Sequence, residues 1–239
     1  METEIEKKRY RRHCLLGALG AFLMLVGDLC LSVIPASPSD SGLFVREAYL
    51  NGSYELWRLP LLIATGLCGM ALCSFAVRAA YEQILPKYRK TRLALKVGGV
   101  IYLTSAAALH FFIGSLADLT SRLSPLLGRE ETVALMQSWY DRLMPSMYVA
   151  YAGMILLILA SAYAVLTKKT VLPRAMFLCH MLVFQLLFAL IPDIRALFGA
   201  TPATMDFVLS QGSGNAALCL FMLANAIHIT YELKRSEEL

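Results

Sequence analysis

The chain has 239 residues, 58% of them hydrophobic and 16% charged, with a mean hydropathy of +0.60. Soluble domains average about 45–50% apolar and about 25% charged residues, so this composition lacks the polar skin that a water-soluble core of this size needs. The formal net charge of +5 raises the question of a nucleic-acid partner, and the placement of the basic residues answers it.

A helix needs roughly 20 mostly apolar residues to cross a hydrocarbon core about 30 Å thick. Six stretches meet that requirement, at about 14–34, 59–77, 93–116, 147–166, 172–192 and 212–231. Only helices or closed barrels satisfy their backbone polar groups in lipid, and these runs are too long and continuous for the alternating strands of a barrel. The sequence therefore predicts an all-α polytopic membrane protein, a single helical-bundle domain over 1–239 with six transmembrane helices. The first span follows a basic start, as a signal peptide does. Its apolar run exceeds the usual 7–15 residues of such a segment and contains Asp28, so it is expected to be retained.

The Lys and Arg residues set the orientation. With the N-terminus in the cytoplasm, sixteen fall inside, in groups at 7–12, 78–96, 168–174 and 234–235. Six fall outside: Arg46, Arg58, Arg122, Arg129, Arg142 and Arg195. This positive-inside bias predicts a multi-pass protein of the inner or plasma membrane with both termini cytoplasmic. The basic balance is then an orientation signal facing anionic lipid. The partner it implies is the bilayer and not a nucleic acid.

Between spans three and four, Val133, Met136, Tyr140, Leu143 and Met147 recur at steps of three and four, while Glu130, Glu131, Gln137 and Asp141 lie elsewhere. That spacing makes one apolar helix face. With Trp139 beside it, the segment predicts an amphipathic helix over 129–145 lying at the outer interface. The six cysteines, Cys14, Cys30, Cys68, Cys73, Cys179 and Cys219, all fall in or beside spans, and none forms a Cys-x-x-Cys pair. Neither a disulfide framework nor a thiolate metal site is expected, and no cofactor is predicted.

An ionisable residue inside a span is expensive unless it meets a partner or water, which makes it a functional candidate. Asp28 lies 16 residues past Arg12, and His110 lies 14 past Lys96, which puts both about 21–24 Å deep at 1.5 Å per residue. His110, Gly114 and Asp118 follow at i, i+4 and i+8. Arg58 opens span two, Tyr148 and Tyr151 stand at the outer end of span four, Asp193 ends span five and Asn215 begins span six. An outer-half polar pocket is the natural inference. Nearer the cytoplasm, His180 and His228 share a depth of about 9 Å, and Glu232 lies one turn past His228. Two His and one Glu suit zinc or another borderline metal. No spacing motif such as His-Glu-x-x-His supports them, so His180, His228 and Glu232 form a weaker candidate set beside a simple structural polar pair. Gly17, Gly20, Gly66, Gly69, Gly98 and Gly99 are expected to let helices pack closely.

Three short motifs stand out: Gly27-Asp28 late in span one, Trp57-Arg58-Leu59 entering span two, and Gly212-Ser213-Gly214-Asn215 entering span six. In these the chain resembles an uncharacterised family of bacterial six-helix integral-membrane proteins. The resemblance implies a bacterial inner-membrane protein and assigns no reaction.

The first functional reading is a protein that binds or moves a small or lipid-like ligand in the outer-half pocket, lined by Asp28, Arg58, His110, Asp118, Tyr148, Tyr151 and Asn215. The second is a membrane-embedded enzyme acting on a lipid-phase substrate, with His110 as general base beside Asp28 or Asp118. The third is a structural subunit whose polar residues only hold helices together. A homo-oligomer is compatible with all three.

Overall fold

The computed structural model describes residues 3–34, 37, 40, 46–55, 57–196 and 203–237, with the side chains at 192–211 and 236–237 left out of that description. Thr3 starts the first helix, α1 (Glu4–Ser32), with a capping box in which the Glu6 N–H donates to the Thr3 hydroxyl and the Thr3 N–H donates to the Glu6 carboxylate. This exchange satisfies two donors that a helix start otherwise leaves orphaned. A single turn, α2 (Glu47–Leu50), follows, and then four long helices and one short one. They are α3 (Arg58–Gln83), α4 (Arg89–Leu127), α5 (Arg129–Leu166), α6 (Met181–Ala196) and α7 (Ala203–Glu237).

The bundle order is α5, α4, α3, α1, α7, α6, each helix packed on the next, and the α6–α5 contact that would close the ring is the sparsest. Both termini lie at one end, because α1 and α7 are antiparallel: Tyr10 meets Asn225 at that end and Asp28 meets Asn215 towards the other. The two ends are called here the termini end and the loop end. At the termini end the α3–α4 and α5–α6 connections clasp, with the Leu85 N–H donating to the Lys169 carbonyl and the Val171 N–H to the Gln83 carbonyl.

Small residues set the closest helix pairs, as the sequence predicts. A Cβ added at Gly20 would lie 2.6 Å from the Cys73 backbone nitrogen and 2.7 Å from the Gly69 carbonyl oxygen. The α1 and α3 backbones therefore touch where no side chain fits. Gly98 of α4 seats against α5 in the same way, 2.9 Å from the Gly153 carbonyl oxygen.

Among the described residues, five helices are long and apolar enough to cross a membrane, against six spans expected. The difference lies in the fifth run. After Pro173 the chain makes a 3-10 turn at Arg174–Cys179, and α6 then runs over 16 described residues. That is about 24 Å at 1.5 Å per residue, shorter than a hydrocarbon core of about 30 Å. His180 makes the break: its backbone is extended (φ −75°, ψ 146°) and its Nδ1 accepts from the Leu182 N–H at 3.1 Å, which caps the new helix.

The segment 129–145 is helical, yet it is not a separate element. It is the first part of the 38-residue α5. Gly128, at φ +86°, reverses the chain in a conformation that L side chains rarely adopt. The apolar face is then turned onto an α4 that continues well past the expected span. Met136, 1% exposed, packs with Leu116, Phe112 and Leu123, and Tyr140 and Leu143 join the same cluster. Trp139 stacks on Phe112 with ring centroids 6.3 Å apart. The face has a protein partner, which is why the helix stands along α4.

Candidate ligand cavity

The loop end closes over α1 by a set of side-chain caps. A helix C-terminus leaves its last carbonyls without intrahelical donors. Here the Tyr54 hydroxyl donates to the Cys30 carbonyl at 3.1 Å, the Tyr49 hydroxyl to the Leu31 carbonyl at 3.3 Å, and the Arg58 guanidinium to the Val33 carbonyl at 2.6 Å. Burial pushes the Tyr54 hydroxyl up to about 12, the Arg58 charge pulling it back, and burial raises the Tyr49 hydroxyl too. Arg58 also pairs with Glu55 at 3.0 Å, and Arg129 pairs with Glu47 at 2.7 Å. Ser124 of α4 donates to the Leu50 carbonyl at 2.7 Å.

Beneath this cover lies a cavity of about 230 Å³ lined by residues of α1, α3, α4, α5, α6 and α7. On one side the Asn215 amide donates to the Asp28 carboxylate at 2.6 Å, joining α1 to α7. His110 of α4 faces the same space, seated on Gly66, where an added Cβ would lie 2.8 Å from the imidazole ring. Tyr151 reaches it from α5. Four of the seven residues predicted for an outer-half pocket therefore line one cavity: Asp28, His110, Tyr151 and Asn215.

Arg58, Asp118 and Tyr148 do not line it. Arg58 is engaged in capping α1. Asp118 pairs with Arg122 at 2.9 Å on the outer surface of α4. Eight residues past His110 is about 12 Å further along the axis at 1.5 Å per residue, and 3.6 residues per turn carries it about 80° round the helix. Tyr148 is 62% exposed, because a three-residue step from Tyr151 turns it out of the bundle. The structure adds Tyr102, Gln185 and Ser213 to the lining. Tyr102, Ala106 and His110 recur every four residues on α4, and Gln185 is the lone amide within the α6 run, so both signals stood in the sequence.

The second predicted group is dispersed. His180 is fully buried, and because the Leu182 N–H donates to Nδ1, the ring proton sits on Nε2 and goes to the Ser161 hydroxyl at 3.0 Å. Phe221 packs on the ring at 4.7 Å between centroids. His228 and Glu232 lie on α7, partly exposed. Among the described residues no group of three or more His, Cys, Asp or Glu side chains converges as a metal site would require. The side chain of Asp193 lies outside the described residues.

A polar knot that the sequence did not single out sits at the termini end. Glu82 accepts from Arg78 at 2.7 Å and meets His13 Nδ1 at 2.9 Å, with Arg9 at 3.8 Å. The Tyr10 hydroxyl donates to Asn225 Oδ1 at 3.1 Å, and the Asn225 amide donates to the Phe221 carbonyl at 2.7 Å.

Among the described residues, five helices of crossing length and apolar composition surround a partly polar interior, the makeup of an α-helical membrane protein. Within that class the chain belongs to the family of unknown function DUF6796, whose model matches residues 1–232. No curated protein and no solved structure matches it.

Proposed function

We propose that this protein binds or moves a small or lipid-like ligand in the cavity between α1, α4, α5 and α7, in the outer half of the membrane, with both termini cytoplasmic. One observation carries the reading. The cavity gathers Asp28 and His110 from different helices, and Asp28 keeps one carboxylate oxygen, and His110 both ring nitrogens, with no hydrogen-bond partner among the described residues. Buried polar groups are satisfied in native structures, and in a bilayer an unmet ionisable group is costly. Water or a ligand in the cavity meets that demand. The orientation rests on the Lys and Arg distribution, sixteen of which lie towards the termini end.

A catalytic version of this reading is supported only for the His110–Asp28 combination, since these two share the cavity and Asp118 is paired elsewhere. His110 would then take up the substrate proton. Its signature is turnover of a lipid-phase substrate that His110→Ala abolishes while binding survives.

The test is calorimetric titration of the protein in phosphatidylcholine nanodiscs with short amines, alcohols and carboxylic acids. At least one class binds, and Asp28→Asn and His110→Ala each weaken it tenfold or more. Saturable binding that both variants leave unchanged, or none by any class, overturns the reading and leaves these residues as helix-to-helix contacts.

A further inference from the structure

The cavity is not walled equally on all sides. Towards α1 and α3 it is backed by tightly packed helices, with Met24 and Leu62 of the lining 1% and 2% exposed. Towards α5 the packing is looser: Tyr151 lines the cavity and keeps 45% of its surface exposed. On the neighbouring helix, α6, Gln185 is the lining residue. Among the described residues the α5–α6 contact is the sparsest in the ring, and the 3-10 turn before α6 touches α5, α6 and α7. Met147 and Met154 of α5 also line the cavity, and unbranched methionines shift easily between rotamers to admit a guest.

The direction towards the termini end is closed. The cavity narrows at Tyr102, Met154, Gln185 and Gly214 into a space of only about 30 Å³. That is room for a water-sized group and not for an alkyl chain. A chain attached to a group in the polar cavity therefore leaves sideways, between α5 and α6, where Leu186, Leu187 and Leu190 of α6 present exposed apolar surface.

The lining also selects the head. Among the described lining residues Asp28 is the one carboxylate, and none is Lys or Arg. An anionic head brought here would meet a carboxylate with no cation to offset it, whereas a hydrogen-bond donor, and a cationic donor above all, meets an acceptor already oriented by Asn215.

From this geometry we infer that the ligand is an amphiphile with a small amine head held at Asp28 and Asn215, and an apolar chain that passes between α5 and α6 into the lipid. This rests on the cavity being a ligand site and adds the ligand's class and its route.

The experiment uses dodecylamine carrying a photoreactive diazirine near the chain end, added to the full-length protein in phosphatidylcholine nanodiscs, with labelled residues mapped by mass spectrometry. The labels fall on α5 and α6, at 147–158 and 181–191. Unlabelled dodecylamine suppresses them, an equal concentration of dodecanoate does not, and Asp28→Asn reduces them at least fivefold. Gly214→Leu supplies a second variant. A Cβ there would meet Gln185 Nε2 at an ordinary 3.7 Å, so the fold accommodates it, while the larger side chain fills the cavity and suppresses labelling. Labels spread evenly over all lipid-facing helices, with no dependence on Asp28, overturn the lateral route. Equal competition by dodecanoate overturns the amine head. Either result can coincide with saturable binding of short amines that Asp28→Asn weakens, in which case the cavity reading stands and only this extension falls.

Discussion

The two ends of the bundle treat buried polarity in opposite ways. At the termini end, polar side chains from different helices meet each other directly. Glu82 of α3 gathers His13 and Arg78, Tyr10 of α1 reaches Asn225 of α7, and His180 is held between Ser161 and its own helix start. The Gln83 Nε2 and Arg92 Nε atoms are exceptions there. Towards the loop end, Asp28 meets Asn215 of α7 through one carboxylate oxygen, while its other oxygen and both ring nitrogens of His110 are left facing a cavity. Polar groups that meet directly lock a bundle, while polar groups that face space are available to something else. The difference separates structural candidates from functional ones better than residue type does, since both ends use a histidine and a carboxylate.

That contrast can be broken by substitution. The largest expected effect is at the packed end: Phe221→Ala, in a fully buried position against His180, costs about 3–5 kcal/mol, read as reduced resistance to unfolding in mixed micelles. Gly20→Ala places a methyl group 2.6 Å from the Cys73 backbone nitrogen, where only helix separation relieves it, and costs about 1–3 kcal/mol by the same measurement. Tyr10→Phe leaves the buried Asn225 without its donor and costs about 1 kcal/mol, near the upper range of interhelical hydrogen bonds in membranes. Asp28→Asn is the counterpart at the cavity. It keeps shape and an acceptor for Asn215, so stability changes by less than about 0.5 kcal/mol while amine binding is lost. If Asp28→Asn destabilises the protein as much as Tyr10→Phe does, the contrast between the two ends collapses.

The smallest effect concerns pH at the loop end. Tyr54 keeps its proton in the folded protein up to about 12, against an ordinary value of 10.0. Its contribution to stability is therefore complete below pH 10. Between about 10 and 12 the unfolded chain ionises while the folded one does not, so that contribution falls as pH rises through the folded value. Tyr54→Phe should flatten this part of the curve of melting temperature against pH. A slope identical in wild type and variant removes Tyr54 from the account.

Much of this was legible in the chain itself. The apolar runs located five long helices because bilayer thickness sets a minimum length that few other structures need. The glycines marked the α1–α3 seam because only a missing side chain lets two backbones touch. The fifth run is not one continuous helix: its composition is unbroken, but Pro173 and the His180 cap interrupt it. The segment 129–145 is helical as expected but forms part of α5, for a different reason. An amphipathic face shows that something apolar covers it, and only the length of α4 decided that protein does so. In the cavity, Asp28, His110, Tyr151 and Asn215 were found because charge and amide groups stand out in apolar runs. Asp118 and Tyr148 were included by counting along a helix, and the angular drift of 3.6 residues per turn carried both away from the cavity.

The sequence by itself determined a helical membrane protein and the residues that are expensive to bury, since both follow from transfer costs that each residue carries with it. Only the tertiary structure decided which of those residues share a space, that Arg58 caps α1 while Asn215 holds Asp28, and that the ring is thinnest between α5 and α6. Those facts depend on the rotation of each helix about its axis. Packing against neighbours fixes that rotation, and composition does not.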